Sequence, residues 1–167
     1  MPDPILVAYA TKMQSTHEVA DAVAARLRER GEDVDVRPAA EVGTLRPYGG
    51  VVLGGGLYAG RWHRDARRFL AKHREELPSL PVAVFAMGPL TLAPDDVRGA
   101  REQLDRALAK EPWLEPASVA IFGGVVDPAK LHFPLNRCME ASDARDWEAI
   151  RSWADEIAER LAPRVAA

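Results

Sequence analysis

The sequence has only one cysteine, Cys138, which excludes an internal disulfide framework and a cysteine-rich metal site. A lone thiol suits a reducing compartment, so we predict a cytoplasmic location. No apolar run approaches the roughly 20 residues that a membrane span needs. The first ten residues carry an acid and two prolines where a secretory signal would be basic, and we predict no targeting segment. The chain is therefore expected to have no membrane span.

Strong charge of one sign and recognisable catalytic motifs are also absent. The net charge is −3, from 22 basic and 25 acidic residues, which argues against nucleic acid as a partner. No Ser/His/Asp or paired-carboxylate pattern stands out. The histidines are scattered, and we predict solvated or capping roles for most of them (His17, His63, His73 and His132). Of these, His63 is the histidine that we predict to lie closest to a ligand, because it directly follows Trp62.

Short apolar blocks alternate with segments of helical period, which predicts parallel strands joined by crossover helices. The predicted strands cover residues 5–10, 33–38, 50–56, 81–88 and 118–124. Four are almost continuously apolar, as strands covered on both faces should be, whereas residues 33–38 alternate like an edge strand. The length of 167 residues suits one α/β domain over residues 1–167.

Helical stripes occupy the intervals between these strands. One stripe contains Val19, Val23 and Leu27 and ends at Gly31, where a left-handed cap is expected. Another follows Pro94, a residue favoured in the first turn of a helix. The last runs through residues 147–161. Ligands of open α/β sheets bind beyond the carboxyl ends of the strands, so those ends are the candidate site.

The junction after the first strand, "TKMQST" (residues 11–16), is rich in hydroxyls and has no glycine. A helix N-terminus offers unpaired N–H groups and a positive dipole end, and with these hydroxyls it suits a phosphate. The alternative is that Ser15 or Thr16 is simply an N-cap, an arrangement that contributes about 1 kcal/mol. The segment by itself leaves both interpretations open.

Glycines and aromatic residues follow the third strand in "GGGLYAGRWH" (residues 54–63). Three missing Cβ atoms, Gly54 to Gly56, let a flat ligand or another backbone come close. Tyr58 and Trp62 offer aromatic faces and Arg61 a cation; the alternative is a tight turn whose aromatics pack in the core. A Gly-Pro turn in "AMGPLTLAP" (residues 86–94) reaches the same edge after the fourth strand.

Together these motifs resemble the flavodoxin-like family and, within it, the flavodoxin-domain proteins grouped with menaquinone-dependent protoporphyrinogen oxidase. The resemblance implies a three-layer α/β sandwich with a five-stranded parallel sheet in order 2-1-3-4-5 and FMN at its C-terminal edge. It implies a phosphate loop made of Thr11, Lys12, Met13, Gln14, Ser15 and Thr16. It also implies that the flavin ring is flanked by Gly56, Leu57, Tyr58, Ala59, Gly60, Arg61 and Trp62 and by Met87, Gly88, Pro89, Leu90 and Thr91.

Two departures from the family pattern bear on the flavin and its partners. Relatives often have glycine where this chain has Gln14, and a non-glycine residue forced to positive φ there costs about 1 kcal/mol or more. The mildly acidic charge also predicts weaker steering toward basic redox partners than in strongly acidic flavodoxins.

The connection over residues 123–146 is longer than an ordinary strand-to-helix loop. Its apolar residues are expected to form a short helix with an apolar face (Leu131, Phe133, Leu135, Cys138 and Met139). The resemblance suggests that substrate, quinone or membrane meets the flavin edge there; the alternative is a loop that covers the sheet edge. Cys138 is predicted to be a buried small hydrophobic residue.

Three functions stay open at this point. The first is an FMN electron carrier, and the second is a quinone-dependent oxidase of protoporphyrinogen. The third is a flavin-free binding or regulatory module of the same fold. The predicted partners are a redox protein or a quinone, with peripheral membrane contact and a homodimer as further options.

Overall fold

The structure is a computed structural model that describes residues 2–11 and 14–161. The strands are β1 (Ile5–Ala10), β2 (Val34–Pro38), β3 (Gly50–Tyr58), β4 (Arg61–Trp62), β5 (Val82–Met87), β6 (Ser118–Phe122), β7 (Val125–Val126) and β8 (Ser142–Asp143). The α-helices are α1 (Ser15–Glu29), α2 (Arg64–Lys72), α3 (Pro94–Leu108), α4 (Leu135–Cys138) and α5 (Trp147–Leu161). Short 3-10 helices cover Ala39–Glu41, Leu77–Ser79 and Pro128–Lys130.

The main sheet has five parallel strands in the order β2-β1-β3-β5-β6. Counted without the short β4, this is the predicted order 2-1-3-4-5, which is confirmed. The strand β4 folds back antiparallel on the end of β3, so that Leu57 pairs with Trp62 and Tyr58 with Arg61. A separate two-stranded ribbon joins β7 to β8. The edge position of β2 agrees with its alternating sequence.

Two apolar cores lie on opposite faces of the sheet, because successive side chains of a strand point to opposite sides. Val7 and Val52 face the core formed with α1 and α5. Leu6 and Leu53 face the core formed with α2 and α3. The predicted three-layer arrangement of helices, sheet and helices is therefore present.

Local sequence signals explain where the helices begin and end. Pro94 is the first residue of α3, where its missing N–H removes no helical hydrogen bond. Gly31 follows α1 with φ of 90°, as the predicted left-handed cap requires. At the other end of α1, Gln14 is the N-cap residue and has φ of 64°. Gln14, the non-glycine residue at this position, is thus left-handed.

The carboxyl ends of β1, β3, β5 and β6 meet at one edge of the sheet. The edge is bordered by the first turn of α1, the β3–β4 turn and the segment 123–146. This segment contains β7, a 3-10 turn, α4 and β8. None of the helices in the described ranges is both long and apolar enough to cross a membrane.

Candidate functional site at the C-terminal edge of the sheet

A cavity of about 290 Å³ opens at this edge of the sheet. Four pieces of chain form its walls: the start of α1, the end of β3 with its turn, the end of β5, and the segment 123–146. The lining residues are Ser15, Thr16, Gly56, Leu57, Tyr58, Ala59, Met87, Gly88, Leu90, Gly124, Val125, Val126, Leu131, Leu135 and Met139. The lining is mainly apolar, with hydroxyls at the α1 end, and such a combination suits a flat aromatic ligand that carries one polar group.

The α1 end of the cavity contains a buried hydroxyl without a partner. Thr16 is fully buried, and its Oγ1 has no hydrogen-bond partner among the described residues. The N-cap residue of α1 is Gln14 and, in the part of the chain that the structure describes, no side chain caps this helix, which removes the alternative that Ser15 or Thr16 serves as the N-cap. An orphaned hydroxyl beside the free N–H groups of a helix start is an arrangement that fits an anion. Lys12 and Met13 of the predicted loop lie outside the described residues.

The β3–β4 turn forms a second wall. Ala59 has φ of 50° and Gly60 has φ of 76°, so two left-handed residues reverse the chain between Tyr58 and Arg61. The half-buried Tyr58 and the exposed Ala59 line the cavity. The ring of Tyr58 folds over Gly56, where a Cβ would lie 2.7 Å from the ring. The turn therefore presents an aromatic side chain to the cavity.

Trp62 and Arg61 do not line this cavity. Trp62 is 1% exposed and belongs to the core on the α2 side, where its indole N–H donates to the carbonyl of Gly55 at 3.1 Å. It has no free face for a flavin ring. Arg61 is exposed and lies on clefts that face α2 and α3. The alternative of an aromatic packed in the core therefore holds for Trp62 and fails for Tyr58.

The segment after β5 contributes through its first residues. Met87 is buried and Leu90 is 50% exposed, and both line the cavity with Gly88 between them. Pro89 lies behind this wall, and its carbonyl accepts a hydrogen bond from the N–H of Gly124 at 2.9 Å. The hydroxyl of Thr91 instead donates to Asp96 at the start of α3. Thr11 and Gly60 likewise lie on neighbouring clefts.

The segment 123–146 supplies almost half of the cavity wall, although none of its residues is in the set that the resemblance implies. Leu131, Leu135 and Met139 close the cavity from one side. The predicted short helix is present as α4, whereas Phe133 is 75% exposed and Cys138 is exposed rather than buried. The sequence signals for this wall were the length of the loop and its run of apolar residues.

Arg145 fastens this segment to α1. Its guanidinium donates to Glu18 at 2.6 Å and to Asp143 at 2.7 Å, and it lies over the ring of Trp147 at 4.8 Å from the centroid. The hydrogen bonds from Arg145 outweigh partial burial and lower the pKa of Asp143 below its usual range. Glu18 belongs to the first turn of α1, so this ion-pair cluster holds the apolar wall against the hydroxyl-rich end of the cavity.

Three of the four histidines have structural roles, and His132 is exposed. His63 caps α2, since its Nδ1 accepts from the N–H of Asp65 at 3.0 Å. His17 stacks on Tyr9 with ring centroids 4.2 Å apart. His73 is 1% exposed, which differs from its predicted solvated position, because it packs on Phe69 and contacts Glu76. Within the described ranges no three His, Cys, Asp or Glu side chains come together as metal ligands.

The fold and the cavity define a flavodoxin-like protein, and comparison with known families agrees. The family described as "Flavodoxin domain" matches residues 6–142, and the chain belongs to this family.

Individual relatives agree with this assignment. The chain is 25% identical to the protoporphyrinogen IX dehydrogenase [quinone] of Escherichia coli K12 over 169 aligned residues, which cover 92% of this chain and 93% of the relative. Flavodoxin 2 of Bacillus cereus superimposes with a TM-score of 0.61 at 23% identity, covering 94% of this chain and 99% of that one. The Fusobacterium nucleatum flavodoxin bound to flavin mononucleotide superimposes with a TM-score of 0.60 at 18% identity, covering 95% and 99%.

Proposed function

We propose that the protein binds FMN at the C-terminal edge of the sheet and transfers electrons through its flavin ring. The observation that carries the proposal is the buried, unpartnered hydroxyl of Thr16 at the start of α1. A buried hydroxyl without a hydrogen bond costs free energy, and a phosphate oxygen at this helix start would satisfy it. Ser15 lies beside it on the cavity surface. These two hydroxyls and the first-turn N–H groups of α1 would hold the phosphate.

The remaining walls suit the ring of the flavin. Tyr58 offers an aromatic face, while Leu57, Met87 and Leu131 supply apolar contacts. A volume of about 290 Å³ is near the lower end of ligand pockets, about 300–1,000 Å³. It matches a ring system better than a whole nucleotide, which leaves the phosphate end at the opening beside α1.

When bound, the flavin supplies the redox chemistry, and the protein tunes its potential through contacts at the ring edges. The residues of this chain bind, orient and shield the ring. The apolar wall from Leu131, Leu135 and Met139 excludes water from one side. Electron transfer through a flavin needs no side chain as a general acid or base, and the described residues that line the cavity include no histidine or carboxylate.

A titration of the purified protein with FMN and, in parallel, with riboflavin tests the proposal. Flavin fluorescence reports binding, and riboflavin lacks only the phosphate. We expect saturable binding of FMN and an affinity for riboflavin about tenfold to a hundredfold lower, because a hydrogen bond to a charged group contributes about 1.5–3 kcal/mol. Equal affinities would show that α1 does not hold the phosphate, and no binding of either flavin would overturn the proposal.

A second candidate function is quinone-dependent oxidation of protoporphyrinogen, which the name of the Escherichia coli relative suggests. The specific observation in its favour is the apolar rim of the cavity. Leu90 is 50% exposed, Leu135 53% and Phe133 75%. Exposed apolar patches beside a cavity are typical of sites that meet a lipophilic molecule or a membrane surface. A quinone, or a peripheral membrane contact, would meet the flavin at this rim.

Anaerobic turnover of protoporphyrinogen by the FMN-loaded protein, with menadione as the quinone, tests this second function through porphyrin fluorescence. We expect turnover, and we expect Phe133→Lys to lower it about tenfold while FMN affinity stays unchanged, since Phe133 is not among the residues that line the cavity and a charge at the rim opposes entry of an apolar molecule. Lys130→Leu is the matched control on the same segment and should keep full turnover. If the FMN-loaded protein shows no turnover, protoporphyrinogen oxidation is excluded and electron transfer remains the proposed function.

The third candidate, a flavin-free module, is supported only by Gln14 at a left-handed position. We also propose a cytoplasmic location, supported by the exposed free thiol of Cys138, which suits a reducing compartment.

Homodimer formation stays a prediction.

A further inference from the structure

A groove between α2 and α3 carries a concentration of positive charge that the proposed redox chemistry does not use. It consists of two adjoining clefts of about 440 and 530 Å³ that share Arg67, Ala107 and Lys110. Its floor is formed by small and apolar residues such as Leu70 and Ala107. We call it the basic groove, and its cations are Arg61, Arg64, Arg67, Arg68, Arg106 and Lys110.

The charges of the basic groove are poorly compensated. Among the described residues that line it, Glu111 is the one carboxylate facing six cations. That carboxylate already accepts a hydrogen bond from the indole N–H of Trp113 at 2.6 Å. Asp65, at the neighbouring cleft, pairs with Arg64 at 3.7 Å. In the described ranges, none of the other five cations has a carboxylate within 4.0 Å, the limit for an ion pair.

This local excess stands out against the charge of the whole chain, which is −3. Clustered uncompensated cations repel one another, and a concave surface with low-dielectric walls focuses their field. The groove therefore attracts an anionic partner even though the protein as a whole is mildly acidic.

The basic groove leads to the turn beside the proposed flavin. Arg61 lies in it and directly follows Ala59 and Gly60 of the β3–β4 turn. Tyr58, on the opposite strand of that turn, lines both the flavin cavity and the cleft that holds Arg61. A molecule seated in the groove would thus lie one short turn of chain away from the cavity.

The shape and surroundings of the groove select among anionic partners. A bilayer is flat and cannot enter a cleft, and the acidic pair Asp95 and Asp96 lies between the groove and the apolar rim at Leu90. The described residues that line the groove include no aromatic side chain on which bases could stack. A protruding acidic segment of a protein can enter a cleft and meet its cations with carboxylates.

We infer that the basic groove docks an acidic segment of a partner redox protein and thereby brings the partner's redox centre to the β3–β4 turn. This inference rests on the proposed flavin function for its purpose, but the docking itself needs no flavin. The partner's reduced centre would lose one electron in each encounter. A bound flavin would supply the acceptor for two such electrons, with protons taken up from water, so full reduction would need two encounters.

Charge reversal in the groove tests the inference with a strongly acidic plant-type [2Fe–2S] ferredoxin as the probe. The variant Arg68→Glu/Arg106→Glu changes one exposed residue on each helix. The control Arg46→Glu/Arg151→Glu makes the same change in net charge at exposed positions away from the groove. Within residues 2–11 and 14–161, the guanidinium groups of neither pair make a hydrogen bond, and urea unfolding curves that coincide with that of the wild type would show that both variants fold.

Two readouts separate docking from flavin chemistry. Surface plasmon resonance measures binding of the flavin-free protein to immobilised ferredoxin in low salt. We expect the groove variant to bind at least about tenfold more weakly than the wild type and the control, since electrostatic steering changes association by about 10–10³. Binding of the wild type should disappear at about 1 M salt, where the Debye length is about 3 Å. Stopped flow then measures reduction of the FMN-loaded protein by reduced ferredoxin, with dithionite reduction expected to be equal in all three proteins.

Several outcomes would overturn the inference. Equal loss of ferredoxin binding in the groove variant and the control would show that net charge matters and the groove does not. Binding of phosphatidylglycerol vesicles or single-stranded DNA that depends on Arg68 and Arg106, without ferredoxin binding, would assign the groove to lipid or nucleic acid. Failure of the protein to take up FMN would instead contradict the proposed function and leave the binding readout valid.

Discussion

Replacing the buried hydroxyl of Thr16 with a methyl group, in Thr16→Val, is expected to lower FMN affinity about tenfold to a hundredfold and yet to stabilise the flavin-free protein by about 1–2 kcal/mol. Valine has almost the shape of threonine, so the packing around α1 is preserved. The two effects have opposite signs because the same hydroxyl is unsatisfied without a ligand and hydrogen-bonded to phosphate with one.

The magnitudes follow from the environment of the hydroxyl. A fully buried polar group without a partner costs about 1–3 kcal/mol, and this cost disappears in the valine variant. A hydrogen bond to a charged phosphate contributes about 1.5–3 kcal/mol, and each 1.4 kcal/mol is a factor of ten in affinity. An ordinary structural threonine would show the reverse, a loss of stability and no change in ligand affinity.

Thr44 is the matched control, because its hydroxyl is hydrogen-bonded within the protein and lies away from the cavity. Its hydroxyl donates to Glu76 at 3.3 Å and accepts from the N–H of Arg46 at 3.2 Å, on an exposed loop. Thr44→Val should lower the free energy of unfolding slightly and leave FMN binding unchanged. Urea unfolding and FMN fluorescence titrations measure both quantities, and riboflavin affinity should be the same in all proteins. Unchanged FMN affinity in Thr16→Val would remove this hydroxyl from the phosphate site.

The sheet and the helices could be predicted from the sequence because their signals are local. Near-continuous apolar blocks define strands that are covered on both faces, and Pro94 and Gly31 mark helix ends through their own backbone preferences. At Gln14 the sequence raised positive φ only as a condition, from the resemblance, and the structure gives this residue φ of 64°.

The site could be predicted only in part because its details depend on contacts between residues distant in sequence. No local signal distinguishes Tyr58, which lines the cavity, from Trp62, which is held in the core by a hydrogen bond to Gly55. The apolar wall from residues 131–139 likewise depends on Arg145, whose contact with Glu18 spans 127 residues of sequence. Sequence periodicity reports which face of an element is apolar, but not which cavity that face closes.

The run Gly54 to Gly56 shows the same limit. We expected it to admit a flat ligand or another backbone. In the structure, the space that a Cβ would take at Gly54 is filled by the ring of Phe85, and at Gly55 by Trp62 and Ala66. Only Gly56 lines the cavity. The first two glycines therefore make room for core side chains, a role that is invisible until the neighbouring strands are paired.

This packing leads to the largest expected loss of stability. In Gly54→Ala the new Cβ would overlap the ring of Phe85 on the adjacent strand. Phe85 is fully buried and cannot move aside, since its ring lies 5.6 Å from that of Phe122 and 5.8 Å from that of Trp153. Overpacking of a core typically costs about 1–3 kcal/mol, and confinement of this ring between two others puts Gly54→Ala at about 3 kcal/mol of destabilisation.

The sign of the change in unfolding free energy distinguishes overpacking, which destabilises, from backbone entropy, which stabilises. Alanine restricts the unfolded chain and by itself stabilises a protein by about 0.4–1 kcal/mol. Gly43→Ala, where nothing lies within 4 Å of the new Cβ, should show that small gain in urea unfolding. The double variant Gly54→Ala/Phe85→Leu should be less destabilised than the sum of its single changes, because the smaller side chain vacates the space that the methyl group needs. Two results would contradict this explanation. One is that the losses in free energy of unfolding are additive in the double variant, and the other is that Gly54→Ala is as stable as Gly43→Ala. Either would mean that the Phe85 ring does not exclude a Cβ at position 54.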